Sequence, residues 1–445
     1  MTAPAAGGRA RGLGASIALL AVARLSTVVA FFAINVVAAR LLDPAQVGSA
    51  AVGQTIGLIA GLIGNGGLNI ATIYFLQQRP DERRAIVPAL TGLAAIGAAV
   101  AFAAVLVSAP LVFALVIGTD AWLLVGAAAL MGAGMIAYEF SGALLLGLGH
   151  RPAYTLAELV RGWGSLVAVA LLVFVLREDW GLVLGMALGY AGGALLAILR
   201  SRGETPIRPR LDRQVGGEAL RFGLRGQVGN IFQFLGVRLD LLLVPAFLDL
   251  SSAGIYFVAV RVSDVVGQVA TAAASLVFPQ VAGQQDRRAT ATTERIVRAT
   301  LLVVIATAAV VALLAEPILG IAFGEAYVAG ASVLLLALVG IVPLSLGRMI
   351  ASDLKGRGRP GLVSLSALLS VCTTLAFDVA LIPALGIRGA AIAAVLSNTA
   401  TAIALLLAYR SVTDGRLVDL VPRPSDAVGL ASRLRLAGRG TEPGA

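Results

Sequence analysis

Long apolar runs separated by short polar segments dominate this chain. Twelve of them approach or exceed the roughly 20 residues that an α-helix needs to cross a bilayer. They cover approximately residues 15–39, 47–75, 86–107, 121–147, 154–176, 181–199, 222–247, 253–280, 297–315, 328–350, 361–382 and 389–409. They lack the polar–apolar alternation of membrane β-strands. The pattern predicts an all-α, polytopic membrane protein with about twelve transmembrane helices.

The composition supports a membrane protein. Of 445 residues, 58% are hydrophobic and 13% are charged, and the mean hydropathy is +0.92. Soluble proteins carry about 25% charged residues, and their cores stop growing at about 250–300 residues. A soluble enzyme and a disordered chain are therefore excluded. A single cysteine, Cys372, and a single histidine, His150, argue against a disulfide framework and a histidine-rich metal site. We expect no metal and no cofactor.

The basic residues are distributed unevenly along the chain. Twenty Lys and Arg residues lie in alternate segments, namely 1–14, 76–85, 148–153, 200–221, 281–296, 351–360 and 410–416. The intervening loops carry Arg40, Arg177 and Arg388. Because cytoplasmic loops are enriched in Lys and Arg, both termini are predicted to be cytoplasmic. The same rule explains the net charge of +10 without a nucleic-acid partner. The first apolar run is too long for the core of a cleavable signal peptide, so none is expected.

Two motifs of the first half of the chain resemble two motifs of the second half at a nearly constant offset. LDPAQVG at 42–48 resembles LDLSSAG at 248–254, and GLGHRP at 147–152 resembles GRGRP at 356–360. The repeat predicts two six-helix bundles, 15–199 and 222–410, joined by a basic cytoplasmic linker, 200–221. Residues 1–14 and 411–445 are predicted to be cytoplasmic ends, the second a disordered basic tail. An even number of helices per bundle makes the repeats parallel, as in transporters whose halves rock around a central cavity.

Ionisable residues occur within several of the predicted helices, where each charge costs at least ~2.5–3.5 kcal/mol. The set comprises Arg24, Arg161, Arg238, Arg261, Arg348, Glu139, Glu158, Asp240, Asp264 and Asp378. Two pairs, Glu158–Arg161 and Arg261–Asp264, have the three-residue spacing that allows pairing on one helix face. Arg161 and Arg348 also lie near enough to a helix end to reach the membrane surface. Arg24, Arg238 and Arg261 are expected to face a water-filled cavity.

A cavity lined by arginines favours an anionic solute, because guanidinium groups bind phosphate oxygens bidentately. Amide side chains on the second and seventh helices could bind sugar hydroxyls or could connect helices. These are Gln54, Asn65, Asn69, Gln227, Asn230 and Gln233. We take the arginines and these amides, apart from Gln227, as candidate substrate-binding residues. Glu139, Asp264 and Asp378 are candidate ion-coupling residues.

Several motifs together resemble one known family. They are ARLLDPAQVG at 39–48, RLDLLL at 238–243, AGIYFVA at 253–259, FPQVA at 278–282, FGEAY at 323–327 and LGIRGAAIA at 385–393. In this order they resemble the polysaccharide biosynthesis branch of the multidrug/oligosaccharidyl-lipid/polysaccharide exporter superfamily. Asp43 stands where that family usually has glycine. The resemblance covers roughly residues 14–410.

The resemblance implies a flippase rather than an enzyme, with a fold like that of the multidrug exporters. Such proteins move an undecaprenyl-diphosphate-linked oligosaccharide to the outer leaflet of the bacterial cytoplasmic membrane by alternating access. The product serves surface or exopolysaccharide synthesis, alongside polymerases and glycosyltransferases. Arginines of the first and eighth helices near the diphosphate would correspond to Arg24 and Arg261.

Two other functions remain open. A cation-coupled multidrug antiporter would have a negatively charged cavity. A non-transporting scaffold of polysaccharide assembly would have all its buried arginines paired. A membrane glycosyltransferase or polymerase is disfavoured, because the longest loop has about 20 residues.

Overall fold

The protein is helical throughout the part of the chain that the structure describes. The computed structural model describes residues 6–116, 121–282, 286–423 and 426, without the side chains of 6–22, 24, 109–110 and 112–116. The α-helices are α1 (Ala6–Leu41), α2 (Pro44–Asn65), α3 (Leu68–Gln78), α4 (Arg83–Val116), α5 (Trp122–Leu148), α6 (Arg151–Leu176), α7 (Asp179–Ser201), α8 (Arg213–Arg238), α9 (Asp240–Phe247), α10 (Leu250–Val281), α11 (Asp286–Leu313), α12 (Ala315–Ile318), α13 (Ala331–Gly356), α14 (Pro360–Leu385) and α15 (Ile387–Val412). Short 3₁₀ turns occur at Pro80–Glu82, Glu325–Gly330 and Leu417–Leu420, and a π-turn at Leu319–Phe323.

These helices confirm the predicted polytopic membrane fold. Among the described residues, eleven helical segments are long and apolar enough to cross a bilayer. The described apolar part of α1, Leu25–Leu41, is shorter and accounts for the remaining predicted run. The protein is a multi-pass membrane protein.

Two of the predicted runs are interrupted. Residues 47–75 form α2 and α3, which meet at Gly66 and Gly67, with φ of +51° and +76°. Glycine occupies this left-handed region without a Cβ penalty, which is why the helix turns there. Residues 222–247 divide at Leu239 into α8 and α9. Asp240, in the first turn of α9, accepts a hydrogen bond from the Leu241 N–H at 2.8 Å.

The structure divides into two compact units. Unit 1 comprises Met1–Ile231 and Val244–Phe257, and unit 2 comprises Phe232–Leu243 and Val258–Ala445. The divisions between the units fall inside α8, α9 and α10. The predicted organisation into bundles 15–199 and 222–410 with a linker, 200–221, stays a prediction. The core of unit 1 contains Leu76, Ile86, Leu90 and Leu144 from α3, α4 and α5. The core of unit 2 contains Val297, Ile350, Leu354 and Tyr409 from α11, α13 and α15.

The two repeated loops are equivalent in structure, and they pack on each other within unit 1. Asp43 caps α2 by accepting from the Gln46 N–H, and Asp249 caps α10 by accepting from the Ser252 N–H, both at 2.8 Å. A Cβ on Gly48 would lie 1.9 Å from the Leu250 carbonyl oxygen. Its counterpart on Gly254 would lie 1.9 Å from the Pro44 carbonyl oxygen. Because the contact is reciprocal at one sequence offset, the sequence repeat corresponds to a local two-fold relation.

The segments that follow α7 and α15 each pack on their own unit. The Arg210 N–H donates to the Pro88 carbonyl of α4 at 3.0 Å. In unit 2, Leu420 is buried, and Arg298 of α11 donates to the Asp419 carbonyl at 2.6 Å. The prediction of a disordered tail from residue 411 is therefore wrong for 413–423, because leucine side chains there have a core to join. Residues 424–425 and 427–445 of the tail lie outside the described residues, as do residues 1–5 of the predicted N-terminal end.

Candidate functional site

Arg161 of α6 lies inside an aromatic enclosure in unit 1. Its guanidinium carbon is 4.9 Å from the ring centroid of Phe31, 5.1 Å from that of Tyr138 and 5.4 Å from that of Tyr190. Its Nη2 donates to Glu158 at 2.6 Å, and Glu158 also accepts from the Tyr138 hydroxyl. The predicted Glu158–Arg161 pair is confirmed. The side chain does not need the membrane surface, because cation–π contacts and the carboxylate replace water.

The aromatic partners of Arg161 were not predicted from the sequence. Phe31, Tyr138 and Tyr190 come from α1, α5 and α7. No spacing within one helix brings them together, so only the tertiary packing reveals them.

Glu139 ends a short chain of amide hydrogen bonds in the same unit. Asn69 Nδ2 donates to Glu139 at 3.0 Å, and Asn65 Nδ2 donates to the Asn69 side-chain oxygen at 3.2 Å. The two asparagines flank the Gly66–Gly67 break, which turns α3 so that Asn69 reaches α5. Both amides therefore connect helices here, which was one of the two predicted roles.

Three further amides of unit 1 also have partners inside the protein. Gln54 is buried, with Nε2 2.9 Å from the Met186 sulfur. Gln227 donates to the Leu62 carbonyl at 2.8 Å, and Asn230 donates to the Gln227 side chain at 3.4 Å. Sugar binding by these amides stays a prediction.

Asp264 of α10 holds two arginines together in unit 2. Its Oδ2 lies 2.6 Å from Arg238 Nη2 and 3.5 Å from Arg261 Nη1. The Arg261–Asp264 pair was predicted from its spacing. The Arg238–Asp264 pair was not, because 26 residues and a helix end separate the two. All three side chains are largely buried, at 16–21% exposure.

Two more acidic residues belong to this region of unit 2. Buried Asp240 lies within electrostatic range of both Arg261 and Asp378. Asp378 of α14 is fully buried, and neither of its carboxylate oxygens has a hydrogen-bond partner among the described residues. Among all the described residues, no three His, Cys, Asp or Glu side chains converge to hold a metal ion.

Arg348 of α13 has a different environment from the arginines above. Its Nη1 donates to the Thr271 hydroxyl at 3.1 Å and to the Gly267 carbonyl at 3.4 Å, both on α10. It lines a small, mostly apolar cleft in unit 2 together with Gln233. The remaining candidate, Arg24, is in α1, but its side chain lies outside the described residues.

Comparison with known proteins identifies the family. A model of the family described as "Polysaccharide biosynthesis protein" matches residues 37–332. The probable low-salt glycan biosynthesis flippase Agl15 of Haloferax volcanii is 29% identical over 163 residues. That match covers 36% of this chain and 34% of the relative, so the similarity spans about a third of the relative's length.

Solved structures show the same fold. An inward-facing MATE multidrug resistance transporter of the MOP superfamily aligns with a TM-score of 0.73 and 17% identity, over 89% of this chain and 97% of its own. Lipid II flippase MurJ, in an inward closed conformation, aligns with a TM-score of 0.71 and 13% identity, over 96% and 94%. Since the family model covers more than half of the chain, the protein belongs to the polysaccharide biosynthesis protein family.

Proposed function

We propose that this protein is a flippase that moves an anionic, undecaprenyl-diphosphate-linked oligosaccharide from the inner to the outer leaflet for surface or exopolysaccharide synthesis. Family membership supports the class of function. The observation that carries the proposal is the sharing of Asp264 by Arg238 and Arg261 inside a membrane bundle. Asp264 has Arg238, Arg261 and Arg348 within electrostatic range, and Asp240 lies within range of Arg261. Three guanidinium groups and two carboxylates leave this group with one net positive charge.

This arrangement is chemically suited to a diphosphate. Asp264 lowers the cost of keeping two arginines away from water and fixes them side by side. A diphosphate offers several oxygens, and guanidinium groups bind such oxygens through paired hydrogen bonds. The substrate then replaces part of the interaction with Asp264. The attraction between the guanidinium groups and the diphosphate is stronger in the low-dielectric interior of the bundle than in water.

The candidate residues divide into two groups on this proposal. Arg238 and Arg261, with Arg24, bind the diphosphate. Arg161 is enclosed by three rings and Glu158, which favours a structural role over a substrate contact.

Ion coupling is proposed to pass through Asp378. A carboxylate without hydrogen-bond donors is costly in the membrane interior, which makes Asp378 the candidate group for binding and releasing a proton during transport. Loss of that proton places a negative charge near Asp240 and the arginines.

The membrane potential is a second possible source of energy. An inside-negative potential favours outward movement of an anion by about 2.3 kcal/mol per charge per 100 mV.

The test is export in cells whose only copy of the protein carries Arg238→Gln, Arg261→Gln or both. Arg24→Gln is tested alongside, and the matched control is Arg388→Gln, an exposed arginine that donates to Ser332. We expect the double variant to lose at least nine-tenths of surface polysaccharide at equal protein level. Normal export by the double variant would exclude the proposed diphosphate site.

The alternatives predict different results with purified protein in vesicles. The scaffold function predicts that the buried arginines are paired, as Arg161, Arg238 and Arg261 are. If the protein is a scaffold, it will not flip a labelled lipid-linked oligosaccharide. The multidrug antiporter requires uptake of cationic dyes driven by an ion gradient. Saturable flipping without dye uptake supports the flippase.

A further inference from the structure

The last turn of α8 is held by a side chain from another helix of unit 2. Gly236 is one of the last four residues of α8, and the carbonyls of these positions have no partner inside their own helix. The Gly236 carbonyl accepts a hydrogen bond from the Thr374 hydroxyl of α14 at 2.9 Å. Two residues further along α8, Arg238 pairs with Asp264 of α10 at 2.6 Å.

The contact between α8 and α14 is close enough to fix the rotation of α8. A Cβ added to Gly236 would lie 2.5 Å from the Ser370 hydroxyl oxygen and 2.8 Å from the Ser370 Cβ, so the contact requires glycine. Residues two apart on an α-helix are separated by about 200° around its axis. The face of α8 that carries Gly236 therefore packs on α14, and Arg238 lies on the other side of the helix, toward α10.

A second buried hydroxyl supports the one that anchors α8. Thr374 and Ser397 of α15 are 3% and 0% exposed, and their hydroxyl oxygens are 2.6 Å apart. The single hydroxyl proton of Thr374 is donated to Gly236, so Ser397 is the donor to Thr374. The other acceptor near Ser397, the Ser370 carbonyl, is farther away at 3.2 Å. Hydrogen bonds in such a chain polarise and strengthen one another.

The helix break at Leu239 makes this anchor important for Arg238. α8 ends at Arg238, and Leu239 separates it from α9. A residue in the last turn of a helix has no following turn to hold it, and helix ends fray for this reason. The position of Arg238 therefore depends on contacts that the last turn itself makes, and Thr374 provides one of them.

From these contacts we infer that Thr374 and Ser397 are positioning residues for substrate binding. Their hydroxyl chain holds the Gly236 carbonyl and so keeps Arg238 on Asp264, acting through the backbone of α8. Neither residue was a candidate from the sequence, because most serine and threonine hydroxyls in apolar helices bond to their own helix. The consequence for transport rests on the proposed function, whereas the effect on the end of α8 does not.

The experiment is a double-mutant cycle between Thr374→Val and Arg238→Gln, scored by flipping of a labelled lipid-linked oligosaccharide in vesicles. Valine keeps the shape of threonine and removes its hydroxyl. We expect Thr374→Val to raise KM roughly fivefold, the effect of one hydrogen bond, with a smaller change in the maximal rate. In Arg238→Gln protein the same substitution should change KM less than about twofold, since no arginine is left to misplace. A residue that only stabilises the fold would have equal effects in both backgrounds.

Three variants test whether the hydroxyl is responsible. Thr374→Ser keeps it and should restore the wild-type KM. Thr307→Val removes a hydroxyl that donates within α11, to the Val303 carbonyl, and should leave KM unchanged. Ser397→Ala removes the donor to Thr374 and should raise KM less than Thr374→Val does, and it replaces that variant if Thr374→Val is not obtained as folded protein. A wild-type KM in both Thr374→Val and Ser397→Ala, or an equal increase with and without Arg238, would overturn the inference.

The thermal unfolding midpoint in detergent separates this inference from the proposed function, because it needs no substrate. Independent substitutions have additive effects. If Thr374 acts through the end of α8, Thr374→Val and Arg238→Gln together should lower the midpoint by less than the sum of their separate shifts. Additive shifts would overturn the positioning role. Wild-type flipping by Arg238→Gln would instead contradict the proposed role of Arg238 in substrate binding, and the midpoints alone would then decide the positioning role.

Discussion

At the scale of single residues, the ionisable groups inside the bundle are stabilised by partners from other helices. Pairs three residues apart, Glu158–Arg161 and Arg261–Asp264, were predictable because one helix face fixes their distance. The ring contacts of Arg161 and the pairing of Arg238 with Asp264 depend on helix packing. They therefore could not be predicted from spacing.

Breaking the enclosed pair in unit 1 should destabilise the protein. Glu158→Gln removes the carboxylate that pairs with the buried Arg161 guanidinium, and breaking a buried pair costs roughly 3–5 kcal/mol. We expect a clearly lower thermal midpoint in detergent, with at least partial recovery when Arg161→Leu is combined with Glu158→Leu. If Glu158→Gln unfolds at the wild-type temperature, the pair does not stabilise the fold.

Asp378→Asn separates stability from coupling. Asparagine resembles the protonated carboxyl in size and charge, so folding should be retained. Transport should lose its dependence on a pH gradient, because asparagine cannot release a proton. The measurement compares flipping with and without an imposed gradient in vesicles, with the exposed Asp249→Asn as control. An unchanged response to the gradient would remove Asp378 from the coupling path.

At the scale of elements, the sequence predicts where helices run better than where they bend. The apolar runs account for the described helices, yet run 47–75 turns at Gly66 and run 222–247 turns at Leu239. Glycine clusters signal the possibility of the first turn. The second has no comparable signal, because Leu239 and its neighbours are ordinary helix formers. The ordered tail segment around Leu420 likewise could not be predicted from the sequence, because it depends on packing against the core of unit 2.

The reciprocal glycine contact should be intolerant of any side chain. Gly48→Ala or Gly254→Ala would place a methyl group 1.9 Å from a carbonyl oxygen of the other loop, so the two helix starts must separate. We expect each variant to lower the thermal midpoint, because overpacking reduces the free energy of unfolding by roughly 1–3 kcal/mol. Gly164→Ala is the control, since a Cβ there meets nothing within 4 Å. Equal midpoints for all three variants would contradict the close packing.

The cap of α10 gives a pH dependence of known sign. The Ser252 backbone N–H lowers the pKa of Asp249 below its ordinary value of 3.8. The cap contributes stability above that value and loses it as the pH falls through the lower, folded-state pKa. At neutral pH, Asp249→Ala should remove the cap and lower the free energy of unfolding by about 1 kcal/mol. Its midpoint should approach that of the wild type in acid, and a constant difference at all pH values would contradict this account.

At the scale of the whole molecule, the orientation in the membrane is a prediction from the distribution of charge, and the proposed direction of transport depends on it. Twenty basic residues lie in the predicted inner segments against three in the outer loops, which predicts cytoplasmic termini. The flippase proposal requires this orientation, since the substrate enters from the inner leaflet. Single cysteines introduced into Cys372→Ser protein test it with a maleimide that does not cross membranes. Gly203→Cys, in the exposed segment after α7, should be labelled after lysis alone, and Glu178→Cys, in the exposed turn before α7, in intact cells. The opposite labelling pattern would invert the molecule, and the arginines of α8 and α10 would then have to receive a substrate from the outer side.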